Sequence, residues 1–190
     1  SDADFNQLLG GLISEPVVVG VAIAFLAAVV PLIEESVKSV SIWPVIQRRP
    51  SVSQAFLGGV LAGSGYALFE SLLLAQPGAD WVSSMVARAG TPLIHAFGTG
   101  LVSWGLIEAI VNRRPLRLLA LYLTAVGFHG IWNFTALAVA LSGFSLEVGA
   151  GVISPAGAGL VALSGLLVLL SLSAVALVGI VALPRWLARR

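Results

Sequence analysis

The sequence has no cysteine and few charged side chains. It contains one methionine, two histidines and 10% charged residues in a chain of 190. The missing cysteines exclude disulfides, thiolate nucleophiles and cysteine-ligated metal sites. Soluble domains carry roughly a quarter charged residues, so this surface is too poor in charge to face water. With 58% hydrophobic residues and a mean hydropathy of +1.00, lipid must be the solvent for most of the chain.

Basic residues are also scarce, with nine arginines and one lysine against nine acidic residues. No basic stripe lies outside the short predicted loops, so no nucleic-acid partner is predicted. The chain begins Ser-Asp-Ala-Asp, without an initiator methionine or the basic n-region of a signal peptide. We therefore expect a processed or trimmed chain.

Five segments are long and apolar enough to cross a bilayer, which takes about 20 residues per helix. Proline, glycine and arginine mark the connectors between them. The predicted fold is all-α: a polytopic membrane helix bundle of about five transmembrane helices, forming a single membrane domain over residues 1–190. The predicted spans are 16–42, 54–76, 84–112, 116–141 and 157–183.

Charges outside the spans separate by connector, basic after the odd-numbered spans and acidic elsewhere. The positive-inside rule then predicts an external N-terminus and a cytoplasmic C-terminus. The basic set is Arg48, Arg49, Arg113, Arg114, Arg117, Arg185, Arg189 and Arg190, and the acidic set is Asp2, Asp4, Glu15, Asp80 and Glu147.

Eight ionisable side chains remain inside apolar segments. A charge at the bilayer centre costs about 2.5–3.5 kcal/mol on insertion scales and usually marks function. Glu108 lies beside Arg113 and Arg114, which favours an interfacial ion pair. The eight residues are Glu34, Glu35, Lys38, Glu70, Arg88, His95, Glu108 and His129.

The first span carries two adjacent glutamates and a lysine shortly after Pro31. The proline removes a backbone hydrogen bond and is expected to kink the helix. Lys38 lies one turn from both Glu34 and Glu35, where it neutralises one of them. Because adjacent residues point about 100° apart on a helix, we expect one glutamate to be a catalytic base and the other a structural partner. The alternative is a structural ion pair near the membrane surface.

The second and third spans carry further polar stripes. Tyr66 and Glu70 share a helix face, and Glu70 lies roughly 24 Å along its helix from the cytoplasmic start. A carboxylate at that depth must be protonated, paired or metal-bound. Arg88, His95 and Thr99 fall on one face of the third span. The alternative for His95 is a buried histidine that makes its hydrogen bonds and has no catalytic role. The alternative for Arg88 is a contact with lipid headgroups.

In the fourth span His129 and Asn133 are one turn apart, with Trp132 between them. An imidazole beside a carboxamide suits binding of a carbonyl oxygen or orientation of a water. The alternative is a polar link between helices. Distances along the predicted spans place four of these residues near the middle or outer half of the bilayer: Glu70, His95, His129 and Asn133. We therefore expect their side chains to meet.

These motifs together resemble the PrsW family of intramembrane proteases, a group that also includes the CAAX prenyl endopeptidases and the multi-pass scaffold subunit of gamma-secretase. Tyr66 stands where the pattern more often has phenylalanine. The CAAX endopeptidases have a histidine where Glu70 stands, which argues against a prenyl-protein substrate. The matching elements are Glu34-Glu35-x-x-Lys38, Tyr66-x-x-x-Glu70, His95-Ala-Phe-Gly-Thr99 and His129-Gly-Ile-Trp-Asn133.

The resemblance implies hydrolysis of a peptide bond in or near a transmembrane substrate, such as an anti-sigma factor cleaved on its extracytoplasmic side. It places the protein in the plasma membrane of a prokaryotic cell, with a membrane protein substrate and the lipid bilayer as partners. The catalytic residues expected are Glu34, Glu35, Glu70, His95, His129 and Asn133. Lys38, Tyr66, Arg88, Thr99 and Trp132 are expected to orient the substrate or support the structure.

Two mechanisms fit these residues. In both, Glu35 or Glu34 activates a water, and His129 with Asn133 stabilises the oxyanion. A divalent metal such as zinc, held at Glu70, His95 and His129 with Glu35, suits a three-ligand catalytic site, although no His-Glu-x-x-His motif is present. A glutamate-dependent mechanism without metal uses the same groups.

Two other functions remain as alternatives. One is a non-catalytic membrane scaffold of the same fold. The other is a proton-coupled transporter, because buried carboxylates and histidines also form proton relays. The absence of paired inverted repeats in this sequence weighs against the transporter.

Overall fold

The structure is a computed structural model that describes residues 10–12, 15–74, 88–147 and 153–189. These residues form helices joined by short connectors, with no strand among them, which confirms the all-α prediction. Five of the helices are long and apolar enough to cross a membrane. The helices are α1 (Pro16–Val40), α2 (Trp43–Ile46), α3 (Val52–Leu73), α4 (Thr91–Ile110), α5 (Pro115–Glu147) and α6 (Pro155–Leu187), of which all but α2 are candidate spans.

The helix boundaries follow local sequence signals. Ser51 caps α3 in a reciprocal capping box with Gln54, and Ser154 caps α6. Prolines stand in the first turn of α1, α4 and α6, where their missing N–H has no helical partner to lose. The predicted third span begins at 84, but the described helix begins at Thr91. Four of the charges used for orientation lie outside the described residues: Asp2, Asp4, Asp80 and Arg190.

The distortion predicted at Pro31 takes the form of a π-helical segment, Phe25–Val29, in the middle of α1. A proline offers no N–H to the carbonyl four residues earlier, and a wider π turn is a common way to absorb such a break. The Leu26 carbonyl accepts a hydrogen bond of 3.0 Å from Asn133 Nδ2 on α5. Gly130 packs against the backbone of the same π segment. α5 therefore fixes α1 at the point where α1 is irregular.

α4 is the central helix of the bundle. In its apolar stretch 72% of the residues are buried inside the protein, against 6% in α1 and in α6. Gly59 and Gly63 bring α3 against α4, and a Cβ added at Gly63 would lie 2.8 Å from Ala96 Cα. A Cβ added at Gly105 would lie 2.9 Å from Leu118 Cα on α5. Small residues thus let the backbones of α3, α4 and α5 approach closely.

Candidate active site

Side chains from four spans meet beside α4, in a group that we call the carboxylate–histidine cluster. α1 supplies two glutamates and a lysine, α3 a tyrosine and a glutamate, and α4 and α5 one histidine each. Arg88 joins them from the turn that precedes α4. The cluster consists of Glu34, Glu35, Lys38, Tyr66, Glu70, Arg88, His95 and His129.

Lys38 lies at the centre of this cluster and is almost fully buried. Its Nζ is 2.8 Å from Glu35 Oε1 and 3.1 Å from Glu34 Oε2. The same atom is 2.6 Å from His95 Nδ1. It also lies 4.5 Å from the centroid of the Tyr66 ring, a cation–π distance. The lysine therefore places one positive charge against two carboxylates inside the protein.

The contacts of His95 define its tautomer. An ammonium group has hydrogen-bond donors only, so His95 Nδ1 accepts from Lys38 and Nε2 carries the hydrogen. Nε2 then donates to Glu70 Oε2 over 2.9 Å. Arg88 Nη2 lies 2.9 Å from the same oxygen. Glu70 is thus held by Arg88 and in turn fixes the His95 ring.

The contacts of His129 leave one of its nitrogens free. Its Nδ1 is 2.9 Å from Glu35 Oε1, and because a carboxylate accepts, Nδ1 carries the hydrogen. Nε2 lies 3.8 Å from Glu34 Oε2, and in the neutral imidazole this nitrogen carries the lone pair. The His95 and His129 rings are nearly perpendicular, with centroids 4.9 Å apart. The imidazoles of His95 and His129 and the Glu34 carboxylate oxygen therefore lie close together.

The two adjacent glutamates differ in environment. Glu35 is fully buried, whereas the Glu34 side chain keeps 19% of its surface exposed. Glu35 Oε2 is a buried atom without a hydrogen bond, whereas the buried Glu34 Oε2 has the Lys38 ammonium 3.1 Å away. A Cβ added at Gly98 would lie 3.1 Å from Glu35 Oε2, so this glycine provides the space that the carboxylate fills.

Three residues of the cluster have the geometry of a metal site. Glu34, His95 and His129 each offer one ligand atom, and these atoms lie within 4.8 Å of one another. Carboxylate oxygen and imidazole nitrogen are zinc ligands, and three protein ligands are typical of catalytic zinc. Glu35 and Glu70 bond the other imidazole nitrogens, which is the usual support for metal-ligating histidines. The donor set fits a divalent ion, and Glu34 Oε2 already lies 3.1 Å from the positive charge of Lys38.

This set differs from the one that the sequence suggested. The prediction named Glu70, His95 and His129 with Glu35 as the metal ligands. In the structure Glu35 and Glu70 are each hydrogen-bonded to an imidazole nitrogen, and Glu34 is the carboxylate that lies with both histidines.

Other predicted site residues lie beside the cluster. Asn133 directs its amide nitrogen to the Leu26 carbonyl of the π segment. Trp132 belongs to the apolar core, where its ring packs against Gly90. Thr99 is buried one turn from His95, and its Oγ1 has no hydrogen-bond partner.

The sequence interpretation missed a second link between α1 and α5. The Tyr122 hydroxyl donates to the Leu32 carbonyl over 2.7 Å and lies 2.9 Å from Ser36 Oγ. Tyr122 precedes His129 by seven residues, two turns on the same helix face, and this spacing was the available signal. The link holds α1 in place at Leu32 and Ser36, which flank the two glutamates.

Glu108 lies apart from the cluster, at the end of α4. Its Oε2 is 3.1 Å from Arg117 Nη1 and 3.6 Å from Arg114 Nη1. The sequence predicted an interfacial ion pair with Arg113 and Arg114, and in the structure the partners are Arg117 and Arg114. Glu108 is thus a buried glutamate outside the cluster that can serve as a control.

An all-helical bundle of five candidate spans with a buried carboxylate–histidine centre defines a class, that of membrane proteins with a chemical centre inside the bilayer. A family model for the PrsW family intramembrane metalloproteases matches residues 3–179. The chain therefore belongs to the PrsW family and is an intramembrane peptidase. No curated protein and no solved structure matches it.

Proposed function

We propose that this protein is a metal-dependent intramembrane protease in which Glu34, His95 and His129 hold a divalent ion, zinc by the character of the donors. One observation carries this proposal: Glu34 Oε2 and His129 Nε2 lie 3.8 Å apart, close enough for both atoms to bind one ion. Glu34 Oε2 already has a positive charge beside it, the ammonium of Lys38 at 3.1 Å. His95 supplies the third donor within 4.8 Å.

The chain's own residues would divide the catalytic work. When bound, the ion would supply Lewis-acid activation of a water and of the scissile carbonyl. Glu35 Oε1 holds the His129 ring through Nδ1 and so directs Nε2 toward Glu34. Glu35 Oε2 makes no hydrogen bond and is the acceptor that takes a proton from the attacking water. The same oxygen then returns that proton to the leaving amine nitrogen.

The exposed members of the cluster indicate the side from which a substrate arrives. The side chains of Glu34, Glu70 and Arg88 keep 19%, 22% and 22% of their surface exposed. Glu35, His95 and His129 lie behind them and are buried. The open side therefore lies toward α1 and α3, and a membrane-embedded segment would approach it laterally through the lipid.

We further propose that the substrate is a single-span membrane protein, such as an anti-sigma factor, cleaved on its extracytoplasmic side in a prokaryotic plasma membrane. The family resemblance supports the substrate class. The arginines between α1 and α3, between α4 and α5 and after α6 support an external N-terminus under the positive-inside rule.

The direct test incubates purified protein in lipid nanodiscs with a panel of single-span peptides. Wild type is compared with Glu34→Gln and with Glu108→Gln, a buried glutamate outside the cluster. We expect Glu34→Gln to lose both cleavage and bound metal, and Glu108→Gln to keep both. Full cleavage by Glu34→Gln would contradict the assignment. Uptake of a solute into vesicles without peptide cleavage would support the transporter instead.

A further inference from the structure

Lys38 occupies the place where the proposed function requires a metal ion. Its Nζ lies 3.1 Å from Glu34 Oε2 and 2.6 Å from His95 Nδ1, two groups of the proposed ligand set. It also lies 2.8 Å from Glu35 Oε1, which orients the third ligand, His129. One ammonium group thus contacts two metal-ligand residues and the support of the third.

An ammonium and a divalent ion cannot use the same electron pairs together. The Nδ1 lone pair of His95 is directed at Lys38 Nζ, so a metal on that atom requires the lysine to move. Like charges also repel strongly at such distances away from bulk water. Lys38 and the metal are therefore competitors for one position.

The Tyr66 ring is a contact that Lys38 keeps when it moves away from Glu34 and His95. Nζ already lies 4.5 Å from the centroid of the Tyr66 ring, and an aromatic face attracts a cation. A small movement of the flexible lysine side chain toward this ring would free the lone pairs of Glu34 and His95. Tyr66 belongs to α3, on the more open side of the cluster.

We propose that Lys38 is a tethered cation that fills the metal site while no metal is bound and withdraws to the face of Tyr66 when a divalent ion enters. This inference rests on the proposed function. Its physical reason is that two carboxylates inside a membrane protein need a compensating charge before the metal arrives. The consequence is a metal affinity lower than the ligands alone would give.

The test compares metal-free wild type with Lys38→Met in nanodiscs. Zinc is titrated by calorimetry, and thermal unfolding is recorded with and without zinc. We expect Lys38→Met to bind zinc at least about tenfold more tightly, equal to 1.4 kcal/mol. Without zinc, the thermal unfolding midpoint of Lys38→Met should be lower than that of the wild type. Adding zinc should raise this midpoint more in the variant than in the wild type. Arg117→Met, which removes a basic group paired with Glu108, should leave zinc affinity unchanged.

A second variant keeps the inference testable if Lys38→Met does not fold. Tyr66→Leu leaves the lysine in place but removes the aromatic face, and it should bind zinc more weakly than wild type. Equal or weaker zinc binding by Lys38→Met, or unchanged zinc binding by Tyr66→Leu, would overturn the role of Lys38. The proposed metal site would still stand in either case if the wild type binds zinc. If neither the wild type nor the variants bind zinc, both the role of Lys38 and the metal site are overturned.

Discussion

His129 Nδ1 donates a 2.9 Å hydrogen bond to Glu35 Oε1, joining α5 to α1 across 94 residues of sequence. Both partners are buried, so the bond is shielded from water. In the neutral imidazole, Nε2 then carries the free electron pair, 3.8 Å from Glu34 Oε2. The position of α1 thus determines how the His129 ring on α5 is oriented and where its Nε2 lies.

Glu35→Gln should separate catalysis from metal binding. A glutamine keeps an oxygen that accepts from His129 Nδ1 but cannot take a proton from water. We expect peptide cleavage at saturating zinc to fall by about 10²–10⁴-fold, the range for loss of a general base. Zinc affinity should fall by no more than about 10–100-fold, as for other supporting partners of metal ligands. Initial rates and calorimetry measure the two effects. Undiminished cleavage would exclude Glu35 as the proton acceptor.

Gly63→Ala should disturb the cluster through the backbone. Its Cβ would contact the His95 carbonyl and lie 2.8 Å from Ala96 Cα, so α3 must move away from α4. Such overpacking costs about 1–3 kcal/mol of unfolding free energy, and it should also lower cleavage by displacing Glu70 from His95.

Gly65→Ala is the matched control on the same helix, because a Cβ there meets nothing within 4 Å. Its unfolding free energy should stay equal or rise by up to about 1 kcal/mol, the helix-propensity gain of alanine. Equal behaviour of the two variants in thermal unfolding would contradict the close packing of α3 on α4.

Asn133→Ala distinguishes a supporting role from a catalytic one. The amide nitrogen bonds the Leu26 carbonyl, and loss of one such bond costs about 0.5–1.5 kcal/mol. We expect a lower unfolding midpoint and a modest loss of cleavage. A fall of about 10²–10³ in kcat with unchanged stability would instead indicate the oxyanion donor predicted from sequence.

Orientation is testable because the chain has no cysteine. Ser51 and Ser154 are N-cap residues of α3 and α6, at the two predicted sides of the membrane. With an external N-terminus, a membrane-impermeant maleimide should label Ser154→Cys in intact cells and Ser51→Cys only after lysis. The reverse pattern would place the arginine-rich connectors outside.

Much of the architecture was predictable because helix periodicity and span length act locally. The five spans follow from apolar length. The buried ionisable residues on four spans follow from the cost of charge in lipid. The pairing of carboxylates with imidazoles did not follow, because it depends on how far each helix is rotated about its axis. The π segment at Phe25–Val29 contributes to that rotation.

The same segment explains the position of Asn133. Its spacing from His129 predicted a shared helix face, but an irregular stretch of α1 presents the Leu26 carbonyl to that face. Gly98 belongs to the His95–Thr99 motif, but its role could not be predicted, since it comes from the Glu35 carboxylate that packs against it. Contacts between distant residues of this kind require the folded structure.

Metal content and peptide cleavage measured on the same preparation test the central claim most directly. Purified protein is treated exhaustively with a chelator, assayed, and assayed again after zinc is returned. We predict one zinc per chain before treatment, loss of cleavage together with the metal, and recovery of both on adding zinc, with no recovery in Glu34→Gln. Full cleavage by protein that retains no metal would contradict the account.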